Sequence, residues 1–450
     1  MKRRNFLKNI SQIAATQVAI GGLSFQVKAS EFAWLASKAA ATNNRILVIV
    51  QLSGGNDGLN MAPPLNQMSQ YLSLRPTIGL AENTILPLGT SGAGFHPAMT
   101  GLKGLYDDGQ LLLVQGLSYP NQSFSHFAAT KIWNVGINNA QEDTGWMGRF
   151  LVNQFPDFPD TTYTDPVALQ VEDLPSTLFS SLNGIMSSSY NTTTLNSIIT
   201  NPLVNGGTNI GTSTGSGVYG DYLAFIQEQM LLSDQFAARI KQAGTLGSNA
   251  NPNYPNTTLG NKLKVIAKLI RGGLNTKVYH VSLGGFDTHN DQLARQNTLL
   301  TELSGAITAF QKDLVAMGGG FADRVTGMTF SEFGRRAQEN ASRGTDHGTS
   351  VPMLVFGMQL NPTRMIGTAP DLSNLTANNL PTQFDFRQAY AAYLTDWFGL
   401  NRTDTNGILL QSQLASTTAM TAAFEPLPIF KTSDPCENTK CIPVVTKIIK

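Results

Sequence analysis

The sequence predicts an α/β protein with a doubly wound, mostly parallel sheet and helices on both faces. Three observations carry this reading. Short continuous apolar runs recur along the chain and read as strands buried on both faces. Segments of helical period stand between several of them. Carboxylates, hydroxyls and imidazoles follow the runs directly, where open α/β sheets bind their ligands.

The first run is Arg45-Ile46-Leu47-Val48-Ile49-Val50-Gln51-Leu52, β-branched in its middle. Leu111-Leu112-Leu113-Val114 is the second, preceded by a helical segment from Ala98 to Tyr106. Val167 to Val171 is the third, Lys277 to Leu283 the fourth, Arg324 to Phe330 the fifth and Pro352 to Phe356 the sixth. Tyr222, Phe225, Ile226, Met230 and Ile240 mark one helix. Leu263, Ile266 and Ile270 mark another, with Gly272-Gly273 as its stop. Leu299, Leu303, Ile307, Phe310 and Leu314 mark a third.

Composition narrows the function classes. The chain has 450 residues, 41% of them hydrophobic, and a net charge of +1. Nothing in that balance pulls it toward nucleic acid or an anionic membrane. Only 14% of residues are charged, against about 25% in ordinary soluble proteins. Two Cys exclude a disulfide scaffold, and five His limit the number of His-built metal sites. The main domain is expected over 45–400. Within it, 174–259 reads as a polar insertion or lid, since no charged residue stands between Asp173 and Asp221 and Gly, Ser, Thr and Asn crowd the stretch. Asn249 to Thr258 reads as a linker of the same kind. A tail over 401–450 carries Cys436 and Cys441, which suit a small disulfide loop in an oxidising compartment.

The N-terminus reads as an address. Lys2-Arg3-Arg4-Asn5-Phe6-Leu7-Lys8 precedes a mildly apolar stretch from Ile10 to Phe25, and Val27-Lys28-Ala29 offers small residues for cleavage. The paired Arg resembles the twin-arginine export signal. Residues 1–29 are therefore expected to be removed after export by that machinery, which leaves a periplasmic or extracellular protein. The apolar stretch is short and diluted by Thr, Gln, Ser and Gly, so no stable membrane span is expected.

The groups that follow the strands are specific. Ser53-Gly-Gly-Asn-Asp-Gly58 follows the first, and Tyr119-Pro-Asn-Gln-Ser-Phe-Ser-His126 the second. Gly284-Gly-Phe-Asp-Thr-His289 follows the fourth, and Ser331-Glu-Phe-Gly-Arg-Arg336 the fifth. Thr345-Asp-His-Gly-Thr-Ser350 precedes the sixth. Each alone is a common turn or cap. Together they supply enough oxygen and nitrogen ligands for a two-metal site. The Ser123–His126 segment opens a helix, where a nucleophile gains from free N–H groups and the dipole.

The order of these segments resembles the alkaline phosphatase and sulfatase superfamily. More closely, it resembles an exported bacterial branch, domain-of-unknown-function family 1501, from about Arg45 to Leu400. The resemblance rests on Leu52-Ser-Gly-Gly-Asn-Asp-Gly-Leu-Asn60, Ser123-Phe-Ser-His-Phe127, Gly285-Phe-Asp-Thr-His289, Phe330-Ser-Glu-Phe-Gly-Arg-Arg336 and Arg343-Gly-Thr-Asp-His-Gly-Thr349. It implies an exported hydrolase of small anionic phosphate or sulfate esters, dependent on divalent metal ions such as zinc, calcium or magnesium. Ser125 matches the nucleophile, with Ser123 the competitor. Asp57 matches a carboxylate of the second metal, and Asp287 and His289 match ligands of the first. Asp346-His347-Gly348 admits two alignments. It is either the second-metal pair, or Glu332 takes that place and His347 serves the first metal. In the latter case His126 supplies the second metal's missing nitrogen. Arg335 or Arg336 would neutralise the ester oxygens. The alternative is a non-catalytic exported binding or structural protein on the same scaffold, working with a companion exported protein.

Overall fold

The computed structural model describes residues 16–20, 23–27, 44–137, 142–159, 163–200, 236–410 and 425–431. A nine-stranded sheet organises them. Its strands are β1 (Ile46–Leu52), β2 (Leu111–Ser118), β3 (Ala168–Gln170), β4 (Ser188–Ser189), β5 (Val278–Leu283), β6 (Val325–Phe330), β7 (Val351–Gly357), β8 (Met365–Ile366) and β9 (Phe384–Asp385). The order is β4-β3-β5-β1-β6-β7-β2-β8, with β9 also paired to β2. Every pairing is parallel except the two made by β7. The fold is thus mixed α/β with a mostly parallel central sheet. Every residue of β1, β2, β6 and β7 is buried, so both faces of these strands are covered.

The register places the functional loops on one rim. Leu283 lies opposite Leu52, Phe330 opposite Gln51, and Asp385 opposite Ser118. These parallel strands therefore end together. Because β7 runs the other way, its first residue, Val351, pairs with Leu117 at the same rim.

The helices form where the periodicity allows. A short turn, α1 (Gly58–Met61), is capped by Asp57, whose side chain accepts from the Leu59 amide. Next come α2 (Thr100–Asp107), α3 (His126–Val135) and α4 (Trp146–Gln154). In α5 (Thr258–Arg271), Leu259, Leu263, Ile266 and Ile270 are buried along one stripe, Thr257 caps the start, and Gly272 ends it. It packs on α6 (Gln292–Met317) and on β5. Trp133 fixes α3 by stacking on Phe330 of β6 and on Phe386 of α7 (Phe386–Ala392), with ring centroids 5.9 and 4.3 Å apart.

Two expectations meet the structure differently. The polar stretch after Asp173 is not loose over its described part. Leu178, Phe179, Ile185, Met186, Leu195, Ile198 and Ile199 are buried in the main core, and β4 joins the sheet edge. Low charge hid these anchors among Ser and Thr. Asn249 to Thr258 is likewise pinned, because the buried Asp313 carboxylate accepts from the Ala250 and Asn251 amides and from the Tyr254 hydroxyl at 2.6–2.8 Å. Near the N-terminus, the backbones of Thr16–Ile20 and Leu23–Val27 pair antiparallel. No helix among the described residues is long and apolar enough to cross a membrane. Arg3, Arg4, the Tyr222–Met230 part of the first expected helix, Cys436 and Cys441 lie outside the described residues.

Candidate metal centre

The rim loops approach one another closely, and glycines permit it. A Cβ on Gly54 would sit 2.3 Å from the Asp287 amide nitrogen, and Gly54 has a φ of +120°. A Cβ on Gly344 would fall 2.2 Å from the His289 carbonyl carbon. A two-stranded ribbon, Gly334–Arg335 against His347–Gly348, sets Arg335 opposite His347. The loops after β2, β5 and β6 and the segment before β7 thereby share one spot.

Three imidazoles and one carboxylate converge there. Asp287 Oδ1 lies 3.1 Å from His289 Nε2 and 3.3 Å from His347 Nε2, while Asp287 Oδ2 lies 3.5 Å from His126 Nε2. His289 Nε2 is 2.9 Å from His347 Nε2. His126, Asp287 and His347 each offer a ligand atom within 4.8 Å of the others. The side chains of His126, His289 and Asp287 are 33%, 42% and 46% exposed, so the cluster opens to solvent.

The partners of the outer nitrogens assign the tautomers. His347 Nδ1 is 2.8 Å from the Phe124 carbonyl. A carbonyl only accepts, so Nδ1 carries the proton and the neutral ring presents a lone pair at Nε2. Burial holds His347 below the ordinary imidazole value. His126 Nδ1 is 2.8 Å from Glu332 Oε1. That oxygen also accepts from the Gly54 amide at 2.9 Å, so Glu332 is the acceptor for His126 Nδ1 and Nε2 is the nitrogen that faces Asp287. His289 Nδ1 has Asp346 Oδ1 3.6 Å away. The inward nitrogens of His126 and His347 thus each have a hydrogen-bonded acceptor behind the ring, the arrangement of metal-ligating histidines; Asp346 stands beyond hydrogen-bond reach of His289. Lone pairs facing a carboxylate repel unless a proton or a cation stands between them.

The donor set fits a divalent cation. His126, Asp287 and His347 bring two nitrogens and one oxygen within 4.8 Å of one another, a set that suits zinc, whereas calcium and magnesium take oxygen ligands; His289 Nε2 stands beside it, 2.9 Å from His347 Nε2. Burial pushes the Asp287 carboxyl up, but hydrogen bonding and charge from Arg335, with His289 and His347, outweigh it and leave the group below its ordinary value.

Several expected site residues stand elsewhere. Asp57 is not a ligand in this arrangement. It is 1% exposed, and both its oxygens are taken by Arg75 at 2.5 and 3.0 Å, with Leu59 N and Gln292 Nε2 as further donors. Arg335 is turned into the fold, out of reach of a substrate. It is 1% exposed and serves the carbonyls of Gly54, Gly55, Phe286 and Thr345 as well as Asp287 at 2.6 Å. Glu332 stands behind His126 rather than in the inner set, and Asp346 stands behind His289. Phe333 packs against the rings of His126 and His347, at 4.9 and 4.4 Å between centroids. Ser125 caps α3 with an exposed side chain that makes no capping bond, and the Ser123 hydroxyl accepts from the Ser125 amide. His96 is a loop-fixing residue whose Nδ1 accepts from the Ala98 amide. Sequence reasoning missed Arg75, Gln292 and the Phe124 carbonyl. A lone Arg before Pro76, a Gln in a helix and a backbone oxygen carry no signal of their own.

With this geometry in hand, the comparisons can be placed. Residues 227–406 match the family model described as "Protein of unknown function (DUF1501)". That segment is similar to the family described in those words. It contains Asp287, His289, Glu332, Asp346 and His347, whereas His126 and the Ser125 loop precede it. No curated protein matches the chain. Two solved structures of the C-terminal periplasmic domain of EcEptC from Escherichia coli are similar to it. The zinc complex has 11% identity and a TM-score of 0.32, covering 70% of this chain and 72% of that one. The other has 10% identity and a TM-score of 0.34, covering 79% and 83%. Likeness at this level carries no argument about function.

Proposed function

We propose that the protein is an exported, metal-dependent hydrolase of phosphate or sulfate esters, with Ser125 as nucleophile on a doubly wound, alkaline-phosphatase-like sheet. The observation that carries this reading is the convergence of three imidazole nitrogens on Asp287, next to an uncapped serine at a helix N-terminus. His126, Asp287, His289 and His347 would hold one divalent cation of the zinc type. That cation would supply Lewis-acid stabilisation of charge on the ester oxygens.

The chain's own groups do the rest. Arg335 holds Asp287 in place. Glu332 and the Phe124 carbonyl hold His126 and His347 with their Nε2 atoms inward. The Ser125 hydroxyl, exposed at the start of α3, would attack phosphorus or sulfur in line as the bond to the leaving oxygen breaks; the serine proton ends on the departing alcohol, and water then cleaves the serine ester to release phosphate or sulfate. The first amides of α3 favour the oxyanion that develops there. Export rests on the N-terminal sequence.

One observation favours a second reading, metal binding without hydrolysis. The expected second carboxylate, Asp57, and the expected anion clamp, Arg335, are both sealed. Metal analysis together with a panel of phosphate and sulfate esters separates the two. The hydrolase reading expects about one equivalent of metal, lost in His126→Ala, and turnover that falls at least about a hundredfold in Ser125→Ala with metal retained. Full metal content with no turnover of any ester leaves the binding reading.

A further inference from the structure

One apolar side chain touches both imidazoles that share the proposed cation with Asp287. Phe333 is fully buried, and its ring lies 4.9 Å from that of His126 and 4.4 Å from that of His347, tilted by 42° and 37°. The two imidazoles are themselves 4.6 Å apart, edge to face. The three rings close a triangle. Its imidazole corners reach solvent, with side chains 33% and 20% exposed, and its phenyl corner does not.

The fold holds that inner corner in place. Gly55, with a φ of +75°, makes room for it, because a Cβ there would fall 2.2 Å from Phe333 Cε2. Before Phe333, the Ser331 hydroxyl donates to the Leu52 carbonyl at 2.6 Å and accepts from the Asn56 amide at 2.9 Å. After it, Arg335 Nε donates to the Gly55 carbonyl at 2.7 Å. The segment is thus stitched to the loop after β1 on both sides of the phenyl ring.

Each imidazole is gripped at Nδ1 by one hydrogen bond, from Glu332 for His126 and from the Phe124 carbonyl for His347. A single bond is a pivot, and a ring that turns about it carries Nε2 away from the shared point. A flat apolar neighbour packed against the ring opposes that turn, and it keeps water from the inner side. Phe333 does this for both rings at once.

We infer that Phe333 is a positioning residue of the metal centre, which sets the angle and spacing at which His126 and His347 present Nε2 and so sets the affinity for a zinc-type cation. This rests on the metal-binding part of the reading above and not on ester hydrolysis. Two ring contacts of this kind are worth about tenfold in affinity.

The test is the zinc affinity of the full chain by chelator competition, with the visible spectrum of the cobalt(II)-loaded protein as a second readout. Phe333→Leu and Phe333→Met both remove the ring, and Met is the milder change in a packed interior. Phe330→Leu is the control, since Phe330 is also buried but stacks on Trp133. Zinc affinity should fall about tenfold in the Phe333 variants, with altered cobalt bands, and stay within about threefold of wild type in Phe330→Leu. If Phe333→Leu does not fold, Phe333→Met decides. Wild-type zinc affinity and an unchanged cobalt spectrum in a folded Phe333 variant overturn the inference. So does an equal loss of affinity in Phe330→Leu, which makes the effect one of general packing. A wild-type protein that binds neither zinc nor cobalt removes the metal reading, and this inference with it.

Discussion

Asp57 and Asp287 begin alike. Each follows a strand of the central sheet, and each is bound by an arginine at 2.5–2.6 Å. Their surroundings then diverge. Asp57 is sealed in the interior with all its acceptor positions filled by Arg75, Leu59 N and Gln292. Asp287 is 46% exposed, gives one oxygen to Arg335, and turns toward three imidazole nitrogens. A carboxylate saturated by donors is structural. A carboxylate that faces imidazole nitrogens at an open surface is the one proposed above as a ligand.

The largest effect comes from breaking the sealed pair. Asp57→Ala strands the Arg75 guanidinium inside the protein, and loss of about 3–5 kcal/mol is expected in urea unfolding. Metal affinity of the folded fraction should hardly move. A variant of normal stability that had lost its metal would reverse the roles assigned to the two aspartates.

A smaller effect sharpens the open side of the comparison. Glu332→Gln keeps an oxygen for the Gly54 amide but weakens the grip on His126. Zinc affinity, measured by competition with a chelator, should drop about 10–100-fold, with stability within about 1 kcal/mol. An unchanged affinity would return Glu332 to a purely structural role.

The smallest effect concerns the interior histidines. Burial lowers His280 to about 3 and His96 to about 4. Both are protonated more readily in the unfolded chain, near the ordinary value of about 6.5. Their contribution to stability is complete above that value and is lost as pH falls from there toward the folded values. Each adds about 1.4 kcal/mol per pH unit to the slope. In the metal-free protein, His280→Phe should remove one such increment between pH 6 and 4.5, read as urea midpoints along a pH series. An unaltered slope would show that His280 is not the group that resists the proton.

The strands were legible because burial on both faces leaves an unbroken apolar run, as in Ile46–Leu52 and Val351–Gly357. β4 was not, since Ser188 and Ser189 pair through backbone alone. The rim residues were legible as a set because strand ends concentrate scarce polar groups. Their individual roles were not. Whether Asp57 or Asp287 faces the solvent depends on where Arg75 and the Arg335 ribbon fold back, and neither return is written in local spacing. Glu332 and Asp346 were placed at the right spot but one contact too far inward. Sequence shows that a carboxylate is near a histidine and not which ring nitrogen it touches.

The reversed strand β7 has a consequence of its own. Because β6 and β7 are antiparallel neighbours, residues 331–350 leave the sheet and re-enter it at adjacent points. That single excursion brings Glu332, Arg335, Asp346 and His347. It is a single insert, held at both ends by the scaffold, that supplies one inner nitrogen, from His347, and the groups behind the others.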